Sequence, residues 1–424
     1  MTARLRLTGL WLHDDFRRLW VGQTVSVFGS YISGFAIPLV AVLTLDASPL
    51  QVALLGAAGL APGLVVAPVA GVWTDRLRRR PVLIVTDVAR AAVLVTIPLA
   101  AALDALRVEH LLVVALLTSA LSVTFDVAYR AYLPSLVRRE DLVEGNSKLQ
   151  ASASVAEVAG FGLAGLLVQA LTAPVAILLD VGSFLASAAA LSRIRTPEPH
   201  PTPSVDGANP APGVWREARD GWRAVFRDPV LRALTATTGT WEFFRGMVGA
   251  VIILFVGREL DIAPALIGVL FGLGGASALA GALVANRASR RWGFGRVLVG
   301  SLLVAGAAIL FLPLAAGPLA VVLPLLAAQQ LAGDGAATVY EIGRTTLLQA
   351  SAPPAIQGRV NATARVVEWT ATLGGLVVGG LVGDALGPRA VLVLAGLGCL
   401  LAPLWLLRSP IPSMREALPA HGAG

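Results

Sequence analysis

Long apolar runs, separated by short polar loops, repeat along almost the whole chain. A helix that crosses a bilayer needs about 20 mostly apolar residues, and twelve runs reach about that length. In chain order they cover residues 18–45, 50–73, 82–104, 109–130, 148–171, 174–193, 233–257, 263–285, 296–315, 318–342, 362–383 and 388–407, here spans 1 to 12. Apolar residues do not alternate with polar ones in these runs, which excludes strands. The pattern predicts an all-α integral membrane protein with twelve transmembrane helices.

The composition agrees with a membrane protein and excludes several other classes. Of 424 residues, 56% are hydrophobic and 14% are charged, whereas soluble domains average about 25% charged residues. The net charge of +7 does not indicate nucleic-acid binding, because the arginines cluster in short loops. Cys399 is the only cysteine, which excludes an intrachain disulfide and a cysteine-based metal cluster. No ATP-binding phosphate loop is present and the histidines lack ligand spacing, so we expect no cofactor and no metal.

The arginine distribution predicts the orientation of the chain in the membrane. One set of loops holds Arg76, Arg78, Arg79, Arg80, Arg138, Arg139, Arg287, Arg290, Arg291 and Arg359. The opposite set holds only Arg107, Arg258 and Arg389. Since positive charge marks cytoplasmic loops, we expect the first set on the cytoplasmic side of the inner (plasma) membrane. An even number of spans then places both termini in the cytoplasm.

A polar stretch at 195–230 divides the chain into two six-span bundles, 1–194 and 231–424 with its short cytoplasmic tail. The first part of this cytoplasmic linker is rich in proline and reads as disordered. The second part, Val214 to Arg227, places Trp215, Ala218, Trp222 and Val225 on one helical face. This helix either lies on the membrane surface or packs under the bundle.

Identical residues recur in the two halves of the chain at a nearly constant separation in residue number. Two glycines and an asparagine recur at the same offset, and one arginine recurs a single position short of it. The pairs are Gly160 and Gly375, Gly165 and Gly380, Asn146 and Asn361, and Arg130 and Arg344. The separation of Gly160 from Gly375 is called the repeat offset below. Two parallel repeats with a site near the membrane midplane are a common plan of transporters, so we expect two pseudo-symmetric bundles.

The loop between spans 2 and 3 carries a recognisable motif. Its residues Gly71, Asp75, Arg76, Arg79, Arg80 and Leu83 match the pattern G-x-L-a-D-R-x-G-R-R-x-x-L, with Trp73 and Arg78 replacing the usual Leu and Gly. The loop resembles the signature of the major facilitator superfamily. The resemblance implies that fold, with this loop latching the cytoplasmic side and Asp75 as the latch acid. The alternative is a loop that only determines topology.

Other parts of the chain also match the family pattern, some of them only in part. Residues 133–142 and 178–184 are similar to a bacterial branch that includes enterobactin-exporter-like and macrolide-efflux-like permeases. Span 5 keeps the glycines of the Gly-Pro-x-x-Gly-Gly element of many exporters, but Phe161 replaces its proline, which weakens the argument for export. In the second half, the loop equivalent to the latch has arginines but no acid, and Asn286 lies nearest the acid position.

Four ionisable residues lie deep in the predicted spans. They are Glu157 in span 5, Glu242 and Arg245 in span 7, and Asp334 in span 10. Such residues usually face the interior of the bundle and have a partner. We therefore expect these four to line a substrate cavity or to couple transport to protons. The alternative is that each makes a satisfied contact between helices.

A second charged group lies nearer the predicted cytoplasmic surface. It comprises Asp87 and Arg90 in span 3, Asp126 and Arg130 in span 4, Glu341 and Arg344 in span 10, and Arg365 and Glu368 in span 11. Spacings of three and four residues favour local ion pairs. We expect this group to tie helices to the latch loop, and we expect Asp180 in span 6 to be a helix-packing residue.

These features favour a secondary transporter. We expect proton-coupled efflux of a small hydrophobic or amphipathic compound, such as a drug, a macrolide or a siderophore-like molecule, by alternating access. The alternatives are an uptake symporter or facilitator and, more remotely, a non-transporting scaffold or sensor. An enzyme is not expected, because no catalytic constellation is evident. The expected partners are the small-molecule substrate, protons and the lipid bilayer, with no nucleic acid, and we expect a monomer.

Overall fold

The computed structural model describes residues 9–198, 214–354 and 356–416, with the backbone alone at 67–69, 71–76 and 214–218. Over these ranges the chain forms helices and no strands. Twelve helices are long and apolar enough to cross a membrane, which confirms the predicted fold class. Their bounds are Asp14–Thr44, Pro49–Arg76, Arg79–Ala102, Val108–Leu136, Leu142–Leu171, Ala173–Ser192, Pro229–Glu259, Pro264–Trp292, Phe294–Leu314, Leu319–Ser351, Gln357–Leu386 and Pro388–Leu407.

Several of these helices extend beyond the apolar runs that predicted them. Span 5 begins at Leu142 instead of residue 148, and span 10 continues to Ser351 instead of residue 342. The added turns are polar and lie next to the arginine-rich loops. Hydropathy detects only the section that lies in hydrocarbon, whereas backbone hydrogen bonding continues into the polar region.

The chain forms two compact units. Unit 1 consists of Met1–Asp46, Ala58–Val205 and Ala263–Val269, and unit 2 of Ala47–Ala57, Asp206–Ile262 and Leu270–Gly424. In unit 1, span 1 packs against spans 5 and 6, and span 3 packs against spans 4 and 6. In unit 2, span 7 packs against spans 11 and 12, and span 9 packs against spans 10 and 12.

The backbone repeats with the same offset as the sequence. The paired features are the starts of spans 2 and 8 (Pro49, Pro264), the starts of spans 3 and 9 (Arg79, Phe294), the π-helical turns Val40–Thr44 and Phe255–Glu259, and the positive φ angles at Asp46 and Asp261. Thr172, with φ 76°, corresponds to Gly387, with φ 84°. Glycine takes this conformation freely, whereas a β-branched residue is strained there.

The helix Val214–Arg227 packs against span 11 within unit 2. A Cβ atom added at Gly221 would lie 2.8 Å from the carbonyl oxygen of Arg359, and Val225 is buried. The rings of Trp222 and Phe226 stack at 5.7 Å on the exposed side of the helix. The helix thus packs against span 11 with Val225 inward and Trp222 outward, and the side chains of Trp215 and Ala218 lie outside the described residues.

Candidate functional site

In unit 2, Glu242 and Arg245 form an ion pair inside span 7. The Nε of Arg245 donates to Oε2 of Glu242 at 3.0 Å, and the hydroxyl of Thr372 in span 11 faces the same oxygen at 3.3 Å. The spacing of three residues places both side chains on one helix face. The Glu242 side chain is 14% exposed, so the carboxylate is held between spans 7 and 11.

Asp334 ends an irregular turn of span 10 and interacts with the same arginine. Residues Gln330–Asp334 form a π-helical turn, a feature that often marks functional sites. The hydroxyl of Ser277 in span 8 donates to the carbonyl of Leu331 within this turn at 2.6 Å. Arg245 interacts electrostatically with Asp334 as well as with Glu242. The guanidinium group of Arg245 therefore interacts with two carboxylates within the spans.

The second charged group of unit 2 joins this network. The Nε of Arg344 donates to Glu341 at 2.7 Å, and another of its nitrogens lies 3.6 Å from Glu368. Glu368 interacts electrostatically with Arg365 and with Glu242. The sequence separates a deep group from a peripheral one, whereas the structure links both into one network across spans 7, 10 and 11.

Unit 1 contains a buried charge cluster around Arg90. Arg90 pairs with Asp87, three residues earlier on span 3, and both side chains are almost completely buried. The guanidinium group lies between two aromatic rings, 4.4 Å from the centroid of Phe125 and 4.1 Å from that of Phe184. Such stacking on aromatic faces adds to the attraction of the ion pair.

Arg90 faces three carboxylates in all. Besides Asp87, it interacts electrostatically with Asp126 of span 4 and Asp180 of span 6, and Asp126 also interacts with Arg130. Asp180 is buried and accepts a hydrogen bond of 2.9 Å from Ser183. The sequence alone assigned Asp180 to helix packing. The only available signal of its second role was its intramembrane charge, since no local spacing connects it with Arg90.

Glu157 lies apart from both clusters. It interacts electrostatically with Tyr31 of span 1 and forms no hydrogen bond or ion pair with any residue that the structure describes. The ring of Tyr31 packs edge-on against Phe161 at 5.2 Å. The residue that replaces the exporter-motif proline thus forms part of an aromatic pair beside this carboxylate.

The predicted latch is described only in part. The side chains of Gly71, Asp75 and Arg76 lie outside the described residues. At the start of span 3, the backbone N–H groups of Arg79 and Arg80 donate to the Glu198 carboxylate at 2.6 and 3.1 Å. An acid at a helix N-terminus stabilises the exposed N–H groups and the helix dipole. Glu198 was not predicted, because it lies in the proline-rich linker.

Two side chains cap helices at the opposite ends of the spans. In unit 1, the N–H of Ala265 donates to Oε1 of Gln169 at 3.1 Å, and in unit 2 the N–H of Leu50 donates to Oδ1 of Asp384 at 3.1 Å. The two donors are separated by the repeat offset, and so are the two acceptors. The two caps are thus equivalent in position but differ in charge.

We expect Asp384→Ala to lower the free energy of unfolding by about 1 kcal/mol, and Gln169→Ala to lower it by less. A charged acceptor interacts with the positive helix N-terminus more strongly than a neutral amide does. Titration with sodium dodecyl sulfate in mixed micelles measures this difference. Glu259→Ala removes a partly exposed ion pair with Arg389 and is the control, for which a smaller loss is expected. Equal losses in the three variants would contradict the capping role.

Comparison with known proteins identifies the family. Residues 10–421 match the family model described as transmembrane secretion effector. The chain belongs to this family. Its members are transporters of the major facilitator superfamily, which confirms the resemblance carried by the Gly71–Leu83 loop. The chain is accordingly a transporter and not an enzyme.

Individual relatives cover nearly the whole chain. The multidrug efflux pump Tap of Mycolicibacterium fortuitum is 27% identical over 390 residues, covering 88% of this chain and 90% of Tap. The MFS-type transporter y4rN of Sinorhizobium fredii is 26% identical over 366 residues, which cover 86% of this chain and 87% of y4rN. A crystal structure of a bacterial homologue of the iron transporter ferroportin, in an inward-facing state, has a TM-score of 0.74 at 19% identity. It covers 95% of this chain and 99% of that one, a likeness of fold alone.

Proposed function

We propose that this transporter exports a small hydrophobic or amphipathic compound, of a drug, macrolide or siderophore-like class, in exchange for protons. The family description and the name of the relative Tap support the outward direction. The arginine-rich loops support a location in the inner membrane with both termini in the cytoplasm. The protein acts as a monomer and uses alternating access.

The shared arginine of unit 2 is the observation that carries the coupling. Arg245 forms an ion pair with Glu242 and interacts electrostatically with Asp334, so the two carboxylates share one nearby positive charge. An unbalanced intramembrane charge is costly. Binding of a proton at one carboxylate therefore leaves Arg245 to balance the other. The substrate and the proton compete for this network, and Thr372 connects it to span 11.

Glu157 is the second proposed proton site. Its carboxylate has no hydrogen-bonding partner among the described residues. The neighbouring rings of Tyr31 and Phe161 offer an apolar surface to a hydrophobic substrate. A proton taken up at Glu157 neutralises the charge next to this surface, which favours the binding of an apolar compound there.

Transport of lipophilic fluorescent dyes into everted membrane vesicles tests the proposal. We expect dye accumulation that requires an imposed pH gradient and disappears when an ionophore collapses it. Glu157→Gln with Glu242→Gln should reduce the gradient-dependent rate about 100-fold or more, the usual effect of losing a proton-transfer group. Glu259→Gln, which changes a carboxylate at the end of span 7 outside the network, should leave the rate unchanged.

Three outcomes would overturn separate parts of the proposal. Dye uptake into intact cells in place of efflux would reverse the direction. Efflux that persists without a gradient would remove the proton coupling. An unchanged rate in the double variant would exclude these two carboxylates as proton carriers.

A further inference from the structure

Unit 2 contains a cavity of about 1050 Å³ at the arginine-rich ends of spans 8 and 10. The start of span 9 and the segment after span 12 complete its wall. Four arginines line the cavity, together with one acid, Glu416. The arginines are Arg290, Arg291, Arg296 and Arg415. All four are exposed side chains, so the cavity is open and strongly positive.

The charge of these arginines is not balanced by ion pairs within the described part of the chain. Within 9–198, 214–354 and 356–416, none of the four guanidinium groups forms an ion pair with a carboxylate. Arg291 lies 5.7 Å from the ring centroid of Trp292, which does not neutralise it. A cluster of like charges is unfavourable unless an anion binds to it. The positive charge of the cavity therefore favours the binding of an anion.

At the start of span 3, the equivalent position in unit 1, a carboxylate is present where unit 2 has backbone carbonyl groups. There the carboxylate of Glu198 accepts from the N–H groups of Arg79 and Arg80. One repeat offset further along the chain, Phe294 N donates to the carbonyl of Arg415 at 3.2 Å and Gly295 N donates to the carbonyl of Met414 at 3.0 Å. Neutral carbonyl groups thus replace the carboxylate at the start of span 9.

A second acid is also replaced. The helix starts of the two repeats place Arg290 at the position of Asp75. The sequence analysis places Asn286 nearest this position, and the helix starts correct that alignment to Arg290. In unit 2 an arginine stands where the latch acid of the first repeat stands, which adds positive charge and removes negative charge.

The other half of the cavity is apolar. Its wall includes Ala282 and Ala285 of span 8 and Val339 and Ile342 of span 10. Trp292, at its rim, is 60% exposed, and the neighbouring Leu283 and Val284 are exposed on the outer face of span 8. Tryptophan at the end of a transmembrane helix is typical of the interface between lipid headgroups and acyl chains. The apolar wall therefore continues into surface that faces lipid.

We propose that this cavity binds the phosphate-bearing headgroup of an anionic phospholipid. The four arginines contact the phosphate, and an acyl chain lies along the apolar wall between spans 8 and 10. Guanidinium groups bind phosphate oxygens with two parallel hydrogen bonds, and basic pockets between membrane helices are suited to lipid headgroups. A free phosphate ion would use the arginines but not the apolar wall.

Native mass spectrometry of the full-length protein, purified with phosphatidylcholine and titrated with phosphatidylglycerol, tests this site. We expect one phosphatidylglycerol molecule to be retained under conditions that remove phosphatidylcholine. Each arginine changed to glutamine should weaken binding on the order of five-fold, and the variant with all four changes should lose it. Arg287→Gln, on span 8 but outside the cavity wall, is the matched control and should bind normally.

Thermal unfolding checks the fold of the four-fold variant and distinguishes a lipid site from a site for free phosphate. The unfolding temperature of the four-fold variant, compared with that of the native protein in phosphatidylcholine alone, verifies that these exposed substitutions leave the fold intact. Retention of phosphatidylglycerol by an intact four-fold variant would overturn the proposal. Inorganic phosphate that protects the protein from thermal unfolding as well as phosphatidylglycerol does would show a site for free anions and would overturn the lipid assignment.

Discussion

Replacement of Arg90 by methionine is expected to lower the free energy of unfolding by about 3–5 kcal/mol. The Asp87 side chain is 0% exposed, and Arg90 is its ion-pair partner. Removal of the guanidinium group leaves a buried carboxylate without a counter-charge. It also removes the positive charge of Arg90 from Asp180, and leaves Asp126 with Arg130 alone. Unfolding by sodium dodecyl sulfate in mixed micelles, followed by tryptophan fluorescence, measures the loss.

The double variant Asp87→Asn with Arg90→Met should recover part of this loss, because it removes the uncompensated charge together with its partner. Arg17→Met is a matched control. Arg17 pairs with Asp14 at the same spacing of three residues, but their side chains are 42% and 67% exposed. Exposed pairs contribute about 0–1 kcal/mol. A loss at Arg90 no larger than that at Arg17 would contradict the role assigned to the buried pair.

The local parts of both clusters are predictable from the sequence. Spacings of three residues along one helix predict the pairs of Asp87 with Arg90, Glu242 with Arg245, and Glu341 with Arg344, and the structure contains all three. Two other pairs with local spacing, Asp126 with Arg130 and Arg365 with Glu368, interact electrostatically without forming an ion pair in the described part of the chain. The twelve spans are equally easy to predict from the sequence, because a segment that crosses the hydrocarbon layer must be a long apolar helix. In both cases the information lies within one helix.

The long-range parts are not predictable from one sequence. Asp180 joins Arg90 only because span 6 packs against span 3. Asp334, at the end of a π-helical turn of span 10, interacts with Arg245 of span 7, and no spacing within one helix connects the two residues. The partners are far apart in sequence, and no spacing along one helix connects them. The alignment of the acid position of the latch between the two repeats is also uncertain from sequence, because a chain with 44 glycines offers more than one glycine match there. The helix starts do fix it, and they identify Arg290 as the counterpart of Asp75.

Gly375→Ala is expected to lower the free energy of unfolding by about 3 kcal/mol, at the upper end of the cost of overpacking. A Cβ atom at Gly375 would overlap the backbone carbonyl of Phe243, where spans 7 and 11 cross. Backbone cannot rotate away as a flexible side chain can, so the two helices must separate. The same detergent titration measures the effect.

Gly374→Ala is the matched control on the same helix. The nearest atoms to an added Cβ there are those of the Phe243 ring, at 3.6 Å, which is ordinary van der Waals contact. This change should cost less than about 0.5 kcal/mol, since alanine also favours the helix. An equal loss in the two variants would exclude close backbone packing as the reason for glycine at 375.

The Gly375 substitution should also affect transport. Phe243 directly follows Glu242, and Thr372 lies one turn before Gly375, so separation of the helices lengthens the 3.3 Å contact between Thr372 and Glu242. In everted vesicles we expect the Gly375→Ala protein that remains folded to transport more slowly, and the Gly374→Ala protein to transport normally. A normal rate in folded Gly375→Ala protein would show that the coupling network does not depend on the distance between spans 7 and 11.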